Sequence, residues 1–222
     1  MSGIRKLAKI LITGDIEPPA IVRKLRWSVV LSRAGFVAYF LFSFWSTSPM
    51  ARDVFPHSKL TVVWTLYLVA ILLVVEYIYR VFMRKGIDLS FVYPLLLAAY
   101  LLTLLSLLSG GQETNPLINR AEHYASFVLI TFAVWVFFSK YLPHHVWRYH
   151  PYYTALLALS VASMIGVGNE LMELLFDTVF ETQLVGRALD TSLDLLMNTL
   201  GGASFLGLRL LLGRVESEGN KS

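Results

Sequence analysis

The sequence predicts an all-α protein, an integral membrane bundle of six transmembrane helices with both termini in the cytoplasm. Three observations carry this expectation. The 222 residues are 56% hydrophobic with a mean hydropathy of +0.61, and only 15% are charged, against about 25% in soluble domains. So little polar surface cannot cover a water-soluble globule. Apolar runs recur at close to the length of about 20 residues that a helix needs to cross a bilayer core. Basic residues alternate between rich and poor connections, as orientation across a membrane requires.

Taken in order, the chain opens with a segment over residues 1–24. Ile4, Leu7, Ala8 and Leu11 fall at helical spacing, with Arg5, Lys6 and Lys9 elsewhere. That pattern predicts a short amphipathic helix on the cytoplasmic leaflet, with a frayed terminus as the alternative. The apolar stretch is too short for the core of a signal peptide. Pro18–Pro19 are expected to break the chain before the first span. The six spans are expected at Leu25–Trp45, Leu60–Phe82, Phe91–Leu108, His123–Tyr141, Tyr153–Phe176 and Ala188–Leu212. Together they form one transmembrane domain over residues 25–212. Trp27 and Trp45 bracket the first span, as interfacial anchors do. Residues 213–222 read as a short polar cytoplasmic tail.

With this threading, fourteen of the nineteen Lys and Arg residues fall on the side of the termini and four on the other, with Arg33 inside the first span. The bias gives the orientation. It also accounts for the net charge of +4 and the pI of about 9.3 without nucleic acid, and membrane lipids are the expected surroundings. The chain has no cysteine, which excludes a disulfide, a thiolate metal site and a cysteine nucleophile. No Walker loop, nucleophile elbow or H-E-x-x-H motif occurs. His144, His145 and His150 read as an interfacial loop rather than a metal site.

Ionisable side chains inside a bilayer cost about 2.5–3.5 kcal/mol each on insertion scales, so their positions are informative. Arg33 in the first span and Glu76 and Arg80 in the second are expected to form a structural ion-pair clasp in the inner half. Glu76 precedes Arg80 by four residues, the favourable order for a helix pair. The outer half carries more. Glu170, Glu173 and Asp177, preceded by Asn169, end the fifth span, and Arg187, Asp190, Asp194 and Asn198 open the sixth. Spacings of three and four put the three acids on one face of the fifth span and the four residues on one face of the sixth. The short connection makes the two helices antiparallel neighbours, with Glu170 and Asn198 at comparable depth. Arg120, Glu122 and His123 begin the fourth span at the same mouth. One outward-facing acidic cavity is therefore expected, lined by His123, Asn169, Glu170, Glu173, Arg187, Asp190, Asp194 and Asn198, with a network that glues the helices together as the structural alternative.

Carboxylates outnumber arginines there, so protons, a cationic ligand or a divalent cation must balance the excess. Glu170, Glu173, Asp190 and Asp194 are the candidate metal ligands, and an all-oxygen set suits Mg or Ca; no cofactor is otherwise implied. Ala155, Ala158, Ala162 and Gly166 form a small-residue stripe that reads as helix packing.

Glu170, Arg187, Asp194 and Asn198-Thr-Leu-Gly201 resemble the motif of the VanZ-like family of small membrane proteins. Glu173, where that family often has glutamine, and the spacing of Asp190 and Asp194 look more like the related YjdF-type bacterial inner-membrane proteins. Asn119–His123 is similar to their histidine-bearing helix start. The resemblance covers residues 119–202. It implies a prokaryotic plasma (inner) membrane and a cell-envelope setting, and supplies no reaction. Gly186, Asp190 and Asp194 also fit the tail of the CDP-alcohol phosphotransferase motif, but the upstream window at Met172–Asp177 does not. Two functional classes follow. One is a protein that binds or handles an envelope lipid or small cationic ligand. The other is a metal-assisted membrane enzyme acting on a lipid-linked substrate. A structural or assembly factor is the third alternative.

Overall fold

The computed structural model describes residues 18–55, 61–110, 116–143, 146, 150–181 and 188–219. Every regular element among them is a helix: α1 (Pro18–Ser46), α2 (Pro49–Val54), α3 (Val62–Arg84), α4 (Val92–Leu108), α5 (Pro116–Tyr141), α6 (Pro151–Phe180) and α7 (Ala188–Gly219). Five stretches are long and apolar enough to cross a membrane: Trp27–Ser46, Val62–Arg84, Pro116–Tyr141, Pro151–Phe180 and Ala188–Leu212. This is the architecture of a multi-pass membrane protein. The sixth long helix, α4, has 17 residues, which is about 25 Å at 1.5 Å per residue.

Local chemistry sets the helix starts. Pro116 and Pro151 open α5 and α6, where a missing N–H costs nothing and the fixed φ already suits a helix. Thr61 caps α3 by accepting from the Trp64 amide at 3.1 Å. Proline at the first turn also corrects two expected boundaries. The first helix already runs from Pro18, so residues 18–24 belong to it, and the fourth long helix starts at Pro116 instead of His123. Asn119 and Arg120 are thereby helical and projected inward. At the other end of the chain, residues 213–219, expected as a tail, continue α7. A single glycine such as Gly213 costs a helix only about 1 kcal/mol, and the helix runs through it. Residues 1–17 of the expected amphipathic segment 1–24 lie outside the described residues, as do 220–222.

The helices alternate in direction and pack as two groups. Val29, Phe36 and Tyr39 of α1, Tyr67 and Leu68 of α3, and Tyr93 and Tyr100 of α4 form a core dominated by aromatic rings. Phe36 and Tyr100 meet edge-on at 5.2 Å between centroids, a favoured ring geometry, and the Tyr100 hydroxyl donates to the Leu68 carbonyl at 2.7 Å. The second core joins α5, α6 and α7 through Val134, Trp135, Phe138, Ala155, Ala158 and Leu206. Here the small-residue stripe of α6 is buried, with Ala158 and Ala162 essentially inaccessible. Large apolar side chains such as Leu31, Leu73, Met164 and Leu211 point outward, the inverse of a soluble protein and the pattern of a lipid-facing surface. Trp27 and Trp45 are both exposed at the two ends of the first span.

Polar clamps hold the groups together at each end. At one end the turn between α3 and α4 is tied to α5. The Tyr141 hydroxyl donates to the Asp88 carbonyl at 3.0 Å, and Lys140 lies 3.4 Å from the Asp88 carboxylate. Burial opposes ionisation of Asp88, but hydrogen bonds from Ser90 together with Lys140 outweigh it and hold this carboxyl below the usual range. Arg33, Glu76 and Arg80 meet at the same end, where Arg33 and Arg80 donate to Glu76 at 2.8 and 2.7 Å. Tyr93 also donates to Glu76.

The tightest helix contact is between α5 and α7. A Cβ on Gly201 would run into the Tyr124 carbonyl oxygen, whereas one on Gly207 would meet nothing within 4 Å. Backbone cannot swing aside as a flexible side chain can. Gly201→Ala is therefore expected to force α5 and α7 apart and to destabilise the protein by about 1–3 kcal/mol, the usual cost of overpacking. Gly207→Ala should be neutral or slightly stabilising, as alanine generally is in a helix. Thermal unfolding in detergent compares the two, and equal midpoints would contradict the close approach.

Candidate functional site

Three helix ends meet opposite the Asp88 clamp: the start of α5, the last turns of α6 and the start of α7. Asp194 is the hub. Its carboxylate is 4% exposed and receives Arg120, in an ion pair to Oδ1, with Asn119 donating to the same oxygen at 3.1 Å. Arg120 also donates to the Asp190 carboxylate at 2.8 Å. One guanidinium thus spans two acids a helical turn apart, which its fork of donors suits. His123 Nε2 lies 3.5 Å from Asp194, and its Nδ1 lies 3.1 Å from Asn198 Oδ1. His123 therefore joins the two polar residues of α7.

The α6 face joins from the other side. Asn198 Nδ2 packs against α6 at Gly166, 3.2 Å from where a Cβ would stand there, one turn from Glu170. Glu170 and Asn198 thus lie near the same depth. Glu170 Oε1 and Asn198 Nδ2 are both buried without a hydrogen-bond partner among the described residues. Such atoms are uncommon, because leaving a buried donor or acceptor unsatisfied costs about 1–3 kcal/mol. Glu173 turns toward another partner. Asn169 donates to it at 2.7 Å and accepts from the Tyr67 hydroxyl at 2.6 Å, which binds α6 to α3.

The expected residues therefore divide. His123, Asp190, Asp194 and Asn198 form one network, Asn169 and Glu173 form a second with Tyr67, and Glu170 lies a turn along α6 from Gly166, where Asn198 packs. Arg187 lies outside the described residues. The cluster is closed: Asp194, Arg120 and His123 are all largely buried, so it does not take the form of an open acidic mouth. Among the described residues no group of three or more His, Asp or Glu side chains is arranged to hold a metal ion. Arg120 occupies Asp190 and Asp194, and Asn169 occupies Glu173. Sequence reasoning missed Asn119 and Tyr67 as members. Asn119 lies four residues before His123, so the α5 face was available in the spacing once the helix began at Pro116. Tyr67 is distant in sequence and nothing local marks it.

The open space is beside this cluster. A cleft of about 530 Å³ lies between α3, α4, α5 and α6, within the usual size of small-molecule sites, about 300–1,000 Å³. Its walls are apolar for most of their length, with Phe82, Leu96 and Phe137 representative, and it reaches Glu122, His123 and Asn169. Glu122 there accepts from Thr103 at 2.8 Å. Among the described residues Glu122, Glu170 and Glu173 form no salt bridge, and carboxylates still outnumber cations. The cleft has an oily length and a polar end, and that end shares His123 with the Asp194 network.

Asp194→Asn is expected to leave the Arg120 charge short of a buried counterion. Breaking a buried pair from one side costs about 3–5 kcal/mol in soluble proteins, and Asp190 offsets part of it here. A fall in thermal unfolding temperature is expected that is clearly larger than for Glu170→Gln, whose Oε1 has no protein partner to lose. Equal effects would show that Asp194 is not the hub of the helix contacts.

Comparison with family profiles, with curated proteins and with solved structures finds no match for this chain.

Proposed function

We propose that this protein binds an amphiphilic lipid of the cell envelope, with the hydrocarbon part in the cleft and the polar head at Glu122, His123 and Asn169. The observation that carries the reading is the shape of that cleft: apolar along its length and polar only at the end where His123 meets the Asp194 network. An acyl or prenyl chain gains about 0.8 kcal/mol per buried methylene relative to water, but relative to surrounding lipid it gains little. Selection must then come from the head, and the carboxylates favour a head that donates hydrogen bonds or carries positive charge. Behind His123, Glu170 Oε1 and Asn198 Nδ2 are buried without a hydrogen-bond partner among the described residues, outside the cleft lining itself. The helix-glue alternative finds its support in Arg120, which ties α5 to α7, so we assign Asp190 and Asp194 to holding the site's shape.

The setting belongs to the proposal as well. A prokaryotic inner membrane, a VanZ-like identity and six crossings with both termini cytoplasmic are supported by the motif at Glu170, Asp194 and Asn198. The basic-residue bias and the alternating helices, with α4 as the sixth crossing, support them too. Reporter fusions after Lys85 and after Ser222 should both read as cytoplasmic, and an external signal from either would overturn this threading.

Binding is tested on the purified full chain by extracting and identifying lipid that survives detergent exchange. Wild type is expected to retain one lipid class near stoichiometrically. Ala133→Trp fills the cleft and should abolish retention while the unfolding temperature stays close to wild type. Glu122→Gln should lower retention about tenfold, the loss expected for one charge-assisted hydrogen bond. Equal lipid content in wild type and Ala133→Trp would defeat the proposal.

A further inference from the structure

The opposite end of the bundle holds a second polar site of different chemistry. Glu76 of α3 accepts from Arg33 of α1 at 2.8 and 2.9 Å, from Arg80 at 2.7 Å and from the Tyr93 hydroxyl of α4. Two guanidiniums thus share one carboxylate, which leaves a net charge of +1 with the acceptor fully used. Among the described residues the hydrogen bonds of Arg33 leave from Nη2 and that of Arg80 from Nε. Among the described residues Arg33 Nε and Nη1 and both terminal nitrogens of Arg80 have no protein acceptor.

These donors are accessible: the Arg33 and Arg80 side chains are 47% and 68% exposed. The Arg33 guanidinium lies 5.8 and 5.3 Å from the Tyr79 and Tyr93 ring centroids, which holds it in place. What surrounds the donors is apolar. Val30 and Val37 lie a turn either side of Arg33, and Leu73 and Tyr77 precede Arg80 on α3, all outward-facing. Arg84 and Lys85, both exposed, continue the positive charge to the helix end. A cationic site with free planar donors, set in a lipid-facing apolar surface, is complementary to an anion that carries its own hydrocarbon.

We propose that Arg33 and Arg80 bind the phosphodiester headgroup of an anionic phospholipid, whose chains lie on the outer faces of α1 and α3. The free Nη1/Nη2 edge of Arg80 matches phosphate oxygens in geometry as well as charge, and Arg33 adds single donors from Nε and Nη1. Glu76 and Tyr93 act as positioning residues that fix the two guanidiniums. The site is separate from the cleft and does not rest on the function proposed above.

The test uses the full chain in nanodiscs of mixed phosphatidylglycerol and phosphatidylcholine, with retained lipid counted by native mass spectrometry. Wild type should hold phosphatidylglycerol in preference to phosphatidylcholine. Arg80→Gln leaves the bonds among Arg33, Glu76 and Tyr93 in place and should lower the preference about tenfold, the loss expected for a direct hydrogen bond to a charged group. Arg84→Gln, a turn further on, should lower it much less. Equal retention of both lipids in wild type would overturn the proposal, and so would the same loss in Arg84→Gln as in Arg80→Gln. Displacement of the lipid by millimolar inorganic phosphate would overturn it too, by showing a site for the free anion.

Discussion

A guanidinium within an apolar bundle has to find a counterion, and at the Arg120 end of this protein it finds two on a neighbouring helix. Arg120 reaches both Asp190 and Asp194, which lie one turn apart on α7. Two acids at that spacing fix the rotation of α7 about its own axis relative to α5. Once the rotation is set, Gly201 comes to face the Tyr124 carbonyl, and only a residue without Cβ allows the backbones to approach. Asn198 is carried to His123 and Gly166 by the same rotation. The ion pair, the close helix contact and the position of the candidate ligand groups are therefore one geometric solution.

This separates two uses of buried polarity. Asp190 and Asp194 have partners and hold helices. Glu170 Oε1 and Asn198 Nδ2 have none among the described residues, and the cost of that vacancy is borne by the network around them. Sites that bind ligands commonly carry such unsatisfied groups, since a group already paired has nothing left to offer. The cleft is consistent with this division, because its polar end touches the network only through His123, and Asn169 carries it to the Tyr67 contact.

The two ends also differ in charge. At the Arg120 end three glutamates form no salt bridge among the described residues. At the other end two arginines share a single glutamate. A bundle polarised in this way offers acceptors to a ligand at one end and donors at the other. Between them lie apolar walls with little to distinguish a ligand's chain from membrane lipid. Specificity in either place thus rests on headgroup chemistry and not on hydrocarbon fit.

The membrane class followed from composition and from the length of the apolar runs, which depend on no tertiary contact. The pairing of Arg33 with Glu76 was legible too, since an ionisable residue within each of two adjacent apolar helices has few places to go. Helical spacing placed Glu170 and Glu173 on one face of α6, yet spacing says nothing about what stands opposite. The bond from Asn169 to Glu173 is itself a four-residue helix pair, but tertiary packing decided that Asn169 also holds Tyr67, over a hundred residues away. It also decided that Arg120 claims Asp190 and Asp194, and that the open volume lies beside the acidic residues and not among them. A one-dimensional pattern records which residues a helix presents. The partner that meets them depends on how neighbouring helices rotate and approach, and here that was determined by Arg120 and by the missing side chain of Gly201.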